Sequence, residues 1–159
     1  MVKILFICHG NICRSPMAEF VFKDMVKKKG LEEKFYIASA ATSGEEIHCG
    51  VGNPVYPPAR RMLEKHGISC DGKRAVRLQK EDYEKYDMLI CMDSANVRNT
   101  LRTVGADPLG KISKLGDFSG RGDVADPWYT GDFDKAYDDI YAGCSRLIDC
   151  LKREKKIKL

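Results

Sequence analysis

Long apolar runs, Cys-x-x-Cys pairs and clustered histidines are all missing from this chain of 159 residues. The N-terminal apolar run, Ile4 to Ile7, is far shorter than the ~20 residues that span a bilayer. The N-terminus also lacks the apolar core and small-residue cleavage site of a secretory signal, so no membrane association and a cytoplasmic location are expected. Without a Cys-x-x-Cys pair, and with His9, His48 and His66 scattered, the usual basis for a zinc site is gone. Neither a metal nor another cofactor is expected. The seven cysteines (8, 13, 49, 70, 91, 144 and 150) are odd in number. With no export signal they argue against a disulfide framework. Most are then inert core residues, and the question is which one reacts.

The excess of one charge sign over the other is small as well. The net charge is +4, carried largely by Lys27-Lys28-Lys29 and by the run from Lys152 to Lys158. These read as solvated helix ends. A nucleic-acid partner would call for a contiguous basic face with interleaved aromatics, and no such face is evident. A mild positive balance does suit an anionic substrate. At 17.9 kDa the chain has the size of a single domain, taken as residues 1–159.

What is present alternates between strand-like and helix-like patterns. Val2 to Ile7 is β-branched and aromatic, a buried strand. Ser15-Pro16 opens a helical pattern that runs to Lys29 and closes at Gly30. Phe35 to Ser39 reads as a second strand, Ala41 to Pro58 as a loop, and Ala59 to His66 as a helix. Asp87 to Met92 is a third strand, followed by a helix from Ser94 to Val104 with Ser94 as its cap. Lys111 to Leu115 is a short fourth strand, Gly116 to Gly131 a loop, and Asp132 to Arg153 a long amphipathic helix. Alternation of this kind predicts an α/β fold: one three-layer domain, a four-stranded parallel sheet with helices on both faces, in flavodoxin-like strand order. Ligands of such sheets bind at the carboxyl ends of the strands, and here the first strand-to-helix turn is Cys8 to Ser15.

That turn reads Cys8-His9-Gly10-Asn11-Ile12-Cys13-Arg14-Ser15-Pro16. A loop of this length can curl so that successive backbone N–H groups point inward as an anion nest. The helix behind it adds free N–H groups and the positive end of its dipole. Arg14 offers a planar fork that matches two phosphoryl oxygens. The same positive field favours the thiolate of Cys8, the form that acts as a nucleophile. Gly10 and Asn11 tolerate the positive φ that inward-facing amides require, and Ser15 can donate its hydroxyl to the Cys8 sulfur.

With these residues in place the chain resembles the low-molecular-weight protein tyrosine phosphatases. The likeness is carried by Val2 to Glu19, then by Ser39, Thr42-Ser43, His66-Gly67-Ile68, Lys80-Glu81-Asp82, Leu89 to Asp93 and Asp126-Pro127-Trp128-Tyr129. It implies hydrolysis of phosphotyrosine in proteins through a cysteinyl-phosphate. In that reaction Cys8 is the nucleophile, Arg14 the phosphate clamp and Asp126 the general acid and base. The resemblance further implies that the loop residues His9, Gly10, Asn11, Ile12, Cys13 and Ser15 hold inorganic phosphate or a similar oxyanion. Trp128 and Tyr129 would flank the cleft. Ser39 would support Asn11, and Lys73 would stand where vertebrate relatives have a histidine. Cys13 would capture oxidised Cys8. The loop Gly44 to Pro54, with His48 to Val51 as an apparent insertion, would form the second wall. His9 is expected at the cleft rim and His66 in packing. Two other activities use the same scaffold, namely protein-arginine phosphatase and thiol-linked arsenate reductase. Ile12 argues against the first, and the wide spacing of Cys70 and Cys91 against the second. A non-catalytic phosphate-binding module would not need Cys8 and Arg14 together.

Overall fold

Strand β1 (Val2–Cys8) is apolar at almost every position because both of its faces are covered. Ile4, Phe6 and Cys8 enter one core cluster, while Leu5 and Ile7 enter another on the opposite face. A computed structural model describes residues 1–154, so the part of the basic run beyond residue 154 lies outside the described residues. β2 (Phe35–Ala41) and β5 (Met88–Cys91) flank β1, and β6 (Ile112–Lys114) lies at the edge beyond β5. All the pairings in this four-stranded sheet are parallel. The order is the flavodoxin-like one expected. Two neighbours on opposite sides of β1 leave a crevice at its carboxyl end, where Cys8 stands.

Helices α1 (Arg14–Lys28), α2 (Pro57–Lys65), α5 (Leu115–Ser119) and α7 (Phe133–Arg153) contribute to the larger cluster. Its centre is aromatic, with Phe22 edge-on to Phe35 at 5.2 Å and tilted against Phe6 at 5.8 Å. The smaller cluster is closed by α3 (Asp82–Lys85) and α4 (Ser94–Val104) through Tyr83 and Val104. Among the described residues no helix is long and apolar enough to cross a membrane.

Several boundaries differ from expectation, each for a local reason. α1 begins at Arg14, earlier than expected, and no side chain caps it; Ser15 lies inside the first turn with its hydroxyl used elsewhere. Asp93, not Ser94, caps α4: its carboxylate accepts from the Asn96 N–H at 2.8 Å. α2 starts at Pro57, because prolines at the first helical positions forfeit no hydrogen bond. The expected loop from Ala41 to Pro58 contains a small hairpin, β3 (Ile47–His48) and β4 (Val51–Gly52). Its turn residues Cys49 and Gly50 both have positive φ, 51° and 78°, as a two-residue hairpin turn demands. The apparent insertion at His48 to Val51 is therefore the exposed tip of this hairpin. The expected loop after β6 contains α5 and a short α6 (Pro127–Thr130). A 3₁₀ turn at Glu32–Lys34 and helix α3 were not anticipated.

Close backbone approach holds α5 to its neighbours. A Cβ on Gly143 of α7 would lie 2.4 Å from Cγ of Leu115, a side chain with no exposure and no room to retreat. Gly143→Ala should therefore cost about 1–3 kcal/mol of stability through overpacking. Urea unfolding should reveal it as a lowered midpoint with an unchanged slope.

Candidate active site

Cys8 ends β1 and lies, 3% exposed, at the base of a cleft. The backbone N–H groups of Asn11 and Ser15 point at it from 3.3 and 3.4 Å. The Ser15 hydroxyl is closer still, 3.0 Å away. The loop is turned with its carbonyls outward: those of Cys8, His9 and Ile12 accept from the N–H groups of Thr42, Ser43 and Tyr56 at 3.0, 3.0 and 2.8 Å. Asn11 makes the curl possible by adopting φ 59°, a conformation rare for residues other than glycine.

A chain of buried hydrogen bonds fixes where each proton lies. The Val76 N–H can only donate, so the Asn11 atom facing it at 3.0 Å is the carbonyl oxygen. The Asn11 amide nitrogen then donates to Ser15 Oγ at 2.8 Å and to Ser39 Oγ at 2.9 Å. Ser39, its oxygen occupied as acceptor, donates to Glu19 Oε1 at 2.6 Å. Ser15, likewise an acceptor toward Asn11, has its own proton free for Cys8 Sγ. The order of donors and acceptors thus leaves a hydroxyl proton aimed at the sulfur. A thiolate there is stabilised by charge-assisted bonds.

Glu19 is buried and accepts from more than Ser39. Lys23 reaches its Oε2 at 2.6 Å, and Lys73 lies 3.4 Å from its Oε1 and 3.1 Å from the Ser39 carbonyl. Burial lowers the Lys73 pKa below that of an ordinary lysine, while Glu19 pulls the other way. The network expected around Asn11 and Ser39 is present, and Lys73 supports it through Glu19.

Arg14 is 2% exposed. Its Nη1 donates to Asp93 Oδ2 at 2.7 Å and to the Val124 carbonyl at 2.8 Å, and Nη2 lies 3.4 Å from Asp126 Oδ2. Burial works against the guanidinium charge, but Cys8, Asp93 and Asp126 outweigh it and raise the Arg14 pKa. Val124 is itself pinned, its N–H donating to the Met92 carbonyl at 2.9 Å. The distant Asp126 segment is thereby carried over the Cys8 loop. Asp126 Oδ1 caps α6 by accepting from the Trp128 N–H at 3.0 Å. The neighbouring acids are engaged elsewhere: Asp123 pairs with Lys114 at 2.9 Å and Asp132 caps α7.

The cleft has a volume of about 120 Å³. Its floor and rim bring together Cys8, His9, Gly10, Ile12, Cys13, Arg14 and Asp126, all expected at the site. Trp128 and Tyr129 form one wall, Tyr129 84% exposed and Trp128 packed on Tyr56 with ring centroids 4.8 Å apart. Glu45 and Glu46 form the other wall, within the loop Gly44 to Pro54 expected there, and Glu45 meets the His9 ring at 3.1 Å. Asn11, Ser15 and Ser39 lie beneath the cleft as supports. His66 stacks on Tyr137 at 4.0 Å, a packing role as expected. Among the described residues no cluster of His, Cys, Asp and Glu could hold a metal ion. Sequence reasoning missed Glu19, Asp93, Glu45 and Glu46 as site residues. Asp93 carried a usable signal, since it follows the strand next to β1 at the same carboxyl edge.

Comparison with known proteins gives this arrangement a family. The chain matches the low molecular weight phosphotyrosine protein phosphatase family over residues 3–157. It is 38% identical to the low molecular weight protein-tyrosine-phosphatase YfkJ of Bacillus subtilis, covering 99% of this chain and 100% of that protein. The crystal structure of YfkJ superposes with a TM-score of 0.90 over 98% of this chain and 97% of the other. PtpA of Staphylococcus aureus, named as the same kind of phosphatase, is 32% identical over 99% of each chain. A Drosophila arginine phosphatase is also similar, at 29% identity and a TM-score of 0.83 over 95% of this chain and 98% of that one. The chain belongs to the low molecular weight phosphotyrosine protein phosphatases, a family of phosphoric monoester hydrolases.

Proposed function

We propose that the protein hydrolyses phosphotyrosine in proteins, with Cys8 as nucleophile, Arg14 as phosphate clamp and Asp126 as general acid and then base. The observation that carries this reading is the Cys8 sulfur, which receives three donors at the base of a cleft with Arg14 and Asp126 beside it. The thiolate attacks phosphorus, the bond to the tyrosyl oxygen breaks, and that oxygen takes a proton from Asp126. Water then attacks the cysteinyl-phosphate and gives its proton to the Asp126 carboxylate. The sulfur–phosphorus bond breaks and the Ser15 hydroxyl receives the returning thiolate. Arg14, held by Asp93 and the Val124 carbonyl, presents its fork without a search among rotamers, which favours the transition state. A reducing cytoplasm is the setting that keeps such a thiol active.

Glu45 and Glu46 are the one feature that favours a phosphoarginine substrate, because carboxylates suit a cationic guanidinium. The apolar Ile12 and the aromatic wall of Trp128 and Tyr129 suit an aryl ester better. An arsenate reductase relay meets a physical obstacle, since Cys70 and Cys91 are buried in clusters on opposite faces of the sheet.

Cys8→Ser should retain binding of inorganic phosphate or vanadate and lose turnover; measurable hydrolysis by this variant would overturn the covalent mechanism. Asp126→Asn keeps an acceptor for the Trp128 N–H, so α6 stays capped while the proton is lost. Its turnover should fall by roughly 10²–10⁴ for phosphotyrosine, and least for phenols that leave easily as anions. With an activated aryl phosphate it should show a burst of phenol followed by slow release, and a uniform loss without a burst would remove Asp126 from the role. Turnover of phosphoarginine in preference to phosphotyrosine peptides would replace the substrate class.

Cys13 is expected to protect Cys8 against oxidation. Burial, and then the negative charge of Cys8, push the Cys13 thiol up to about 12. Oxidation of Cys8 to a neutral sulfenic acid removes the second of these effects and eases attack by Cys13 sulfur, with water as the leaving product. Peroxide-treated wild type should recover with a dithiol, and Cys13→Ser should recover much less. Equal recovery would leave Cys13 as packing.

A further inference from the structure

On the other side of His9 from the catalytic cleft lies a second groove of about 290 Å³, lined by Thr42, Ser43, Arg77, Asn99, Arg102, Thr103 and His9 itself. His9 lines both depressions. The floor of the groove is bonded to the catalytic loop, since the N–H groups of Thr42 and Ser43 donate to the Cys8 and His9 carbonyls at 3.0 Å each. Its position relative to Cys8 is therefore fixed.

The groove has the chemistry of an anion site. No carboxylate lines it. Both arginines are exposed, and among the described residues neither guanidinium forms an ion pair; Arg102 reaches only the Asn99 side-chain oxygen at 3.1 Å. Arg77 lies over Gly44, where even a methyl group would come within 3.1 Å of its Nη1. Glu45 and Glu46 line the catalytic cleft, where Glu45 meets the His9 ring at 3.1 Å.

We propose that this groove is an accessory subsite for a second anionic group of the substrate, a carboxylate or another phosphoryl group, carried close to the phosphotyrosine. The proposal rests on the phosphotyrosine reading above. Two adjoining depressions are bridged by a short extended segment, and three residues span about 10 Å. The acid should therefore lie within about three residues of the phosphotyrosine. The preference is one-sided, because His9 is the residue at which the groove adjoins the cleft.

The test uses phosphotyrosyl peptides whose flanking positions on either side carry alanine, aspartate or phosphoserine, with para-nitrophenyl phosphate as a substrate that has no flank. For the wild type, kcat/KM should rise about tenfold with an acid on one flank and not on the other, through KM, as exposed charge-assisted contacts to two arginines would give. The double variant Arg77→Gln, Arg102→Gln should lose this preference and keep its rate on para-nitrophenyl phosphate. A larger gain for phosphoserine than for aspartate identifies a phosphoryl occupant, and the reverse order identifies a carboxylate. Indifference of the wild type to every acidic flank, or a preference that survives the double variant, overturns the subsite. If para-nitrophenyl phosphate and all the peptides are inert, the phosphatase reading itself fails and takes the subsite with it.

Discussion

The structure depends on the placement of one amide, that of Asn11. Its carbonyl oxygen is held by the Val76 N–H, and this orients its nitrogen toward both Ser15 and Ser39. Every polarity downstream follows from that orientation: Ser39 turns its proton to Glu19, and Ser15 turns its proton to the sulfur. The same residue carries the positive φ that bends the loop. A backbone conformation that costs energy is therefore held by a side chain that is itself fully engaged, and conformational strain at the site is offset within a few residues of where it arises. The acidic end of the chain of bonds is stabilised by Lys23 and Lys73, so the buried Glu19 charge is not left unpaired.

Arg14 plays the corresponding part between distant segments. Its guanidinium joins the carboxylate after β5, the carbonyl of Val124 and the carboxylate of Asp126. Two stretches of chain far from it in sequence, at Asp93 and at Val124 to Asp126, converge on this one side chain. The loop from α5 to α6 is oriented by the same contacts, with Gly116 close against the Gly122 backbone and Gly143 close against the Leu115 side chain.

Much of this was legible in the sequence, because the informative residues are local. Cys8 to Pro16 is one contiguous stretch, and its chemistry follows from residue type and spacing. The strands could be read from apolar runs because the sheet is covered on both faces. What the sequence concealed depends on contacts across the fold. Glu19 looks like an exposed helix residue until Ser39 and Lys73 are brought to it. The N-terminal boundary of α1 was misplaced because Ser15-Pro16 has the form of a cap, yet the serine hydroxyl is taken by the sulfur. Likewise Asp93 and Ser94 are both competent caps, and only the geometry of α4 distinguishes them. The hairpin β3–β4 escaped notice because each strand is two residues long and its turn begins with cysteine rather than asparagine.

That hairpin has a consequence for how members of this family can diverge. Its base is fastened on both sides, by the Asn53 N–H to the Glu46 carbonyl at 2.8 Å and by Gly52 packed against the Ala75 backbone. Its tip, from His48 to Val51, faces solvent. Lengthening or recolouring the tip would reshape what lies beside the cleft without loading the bonds that hold Asn11 or Arg14. The tip and the bonds around Cys8 are thus mechanically insulated from one another, and a change of length at the tip leaves those bonds unloaded.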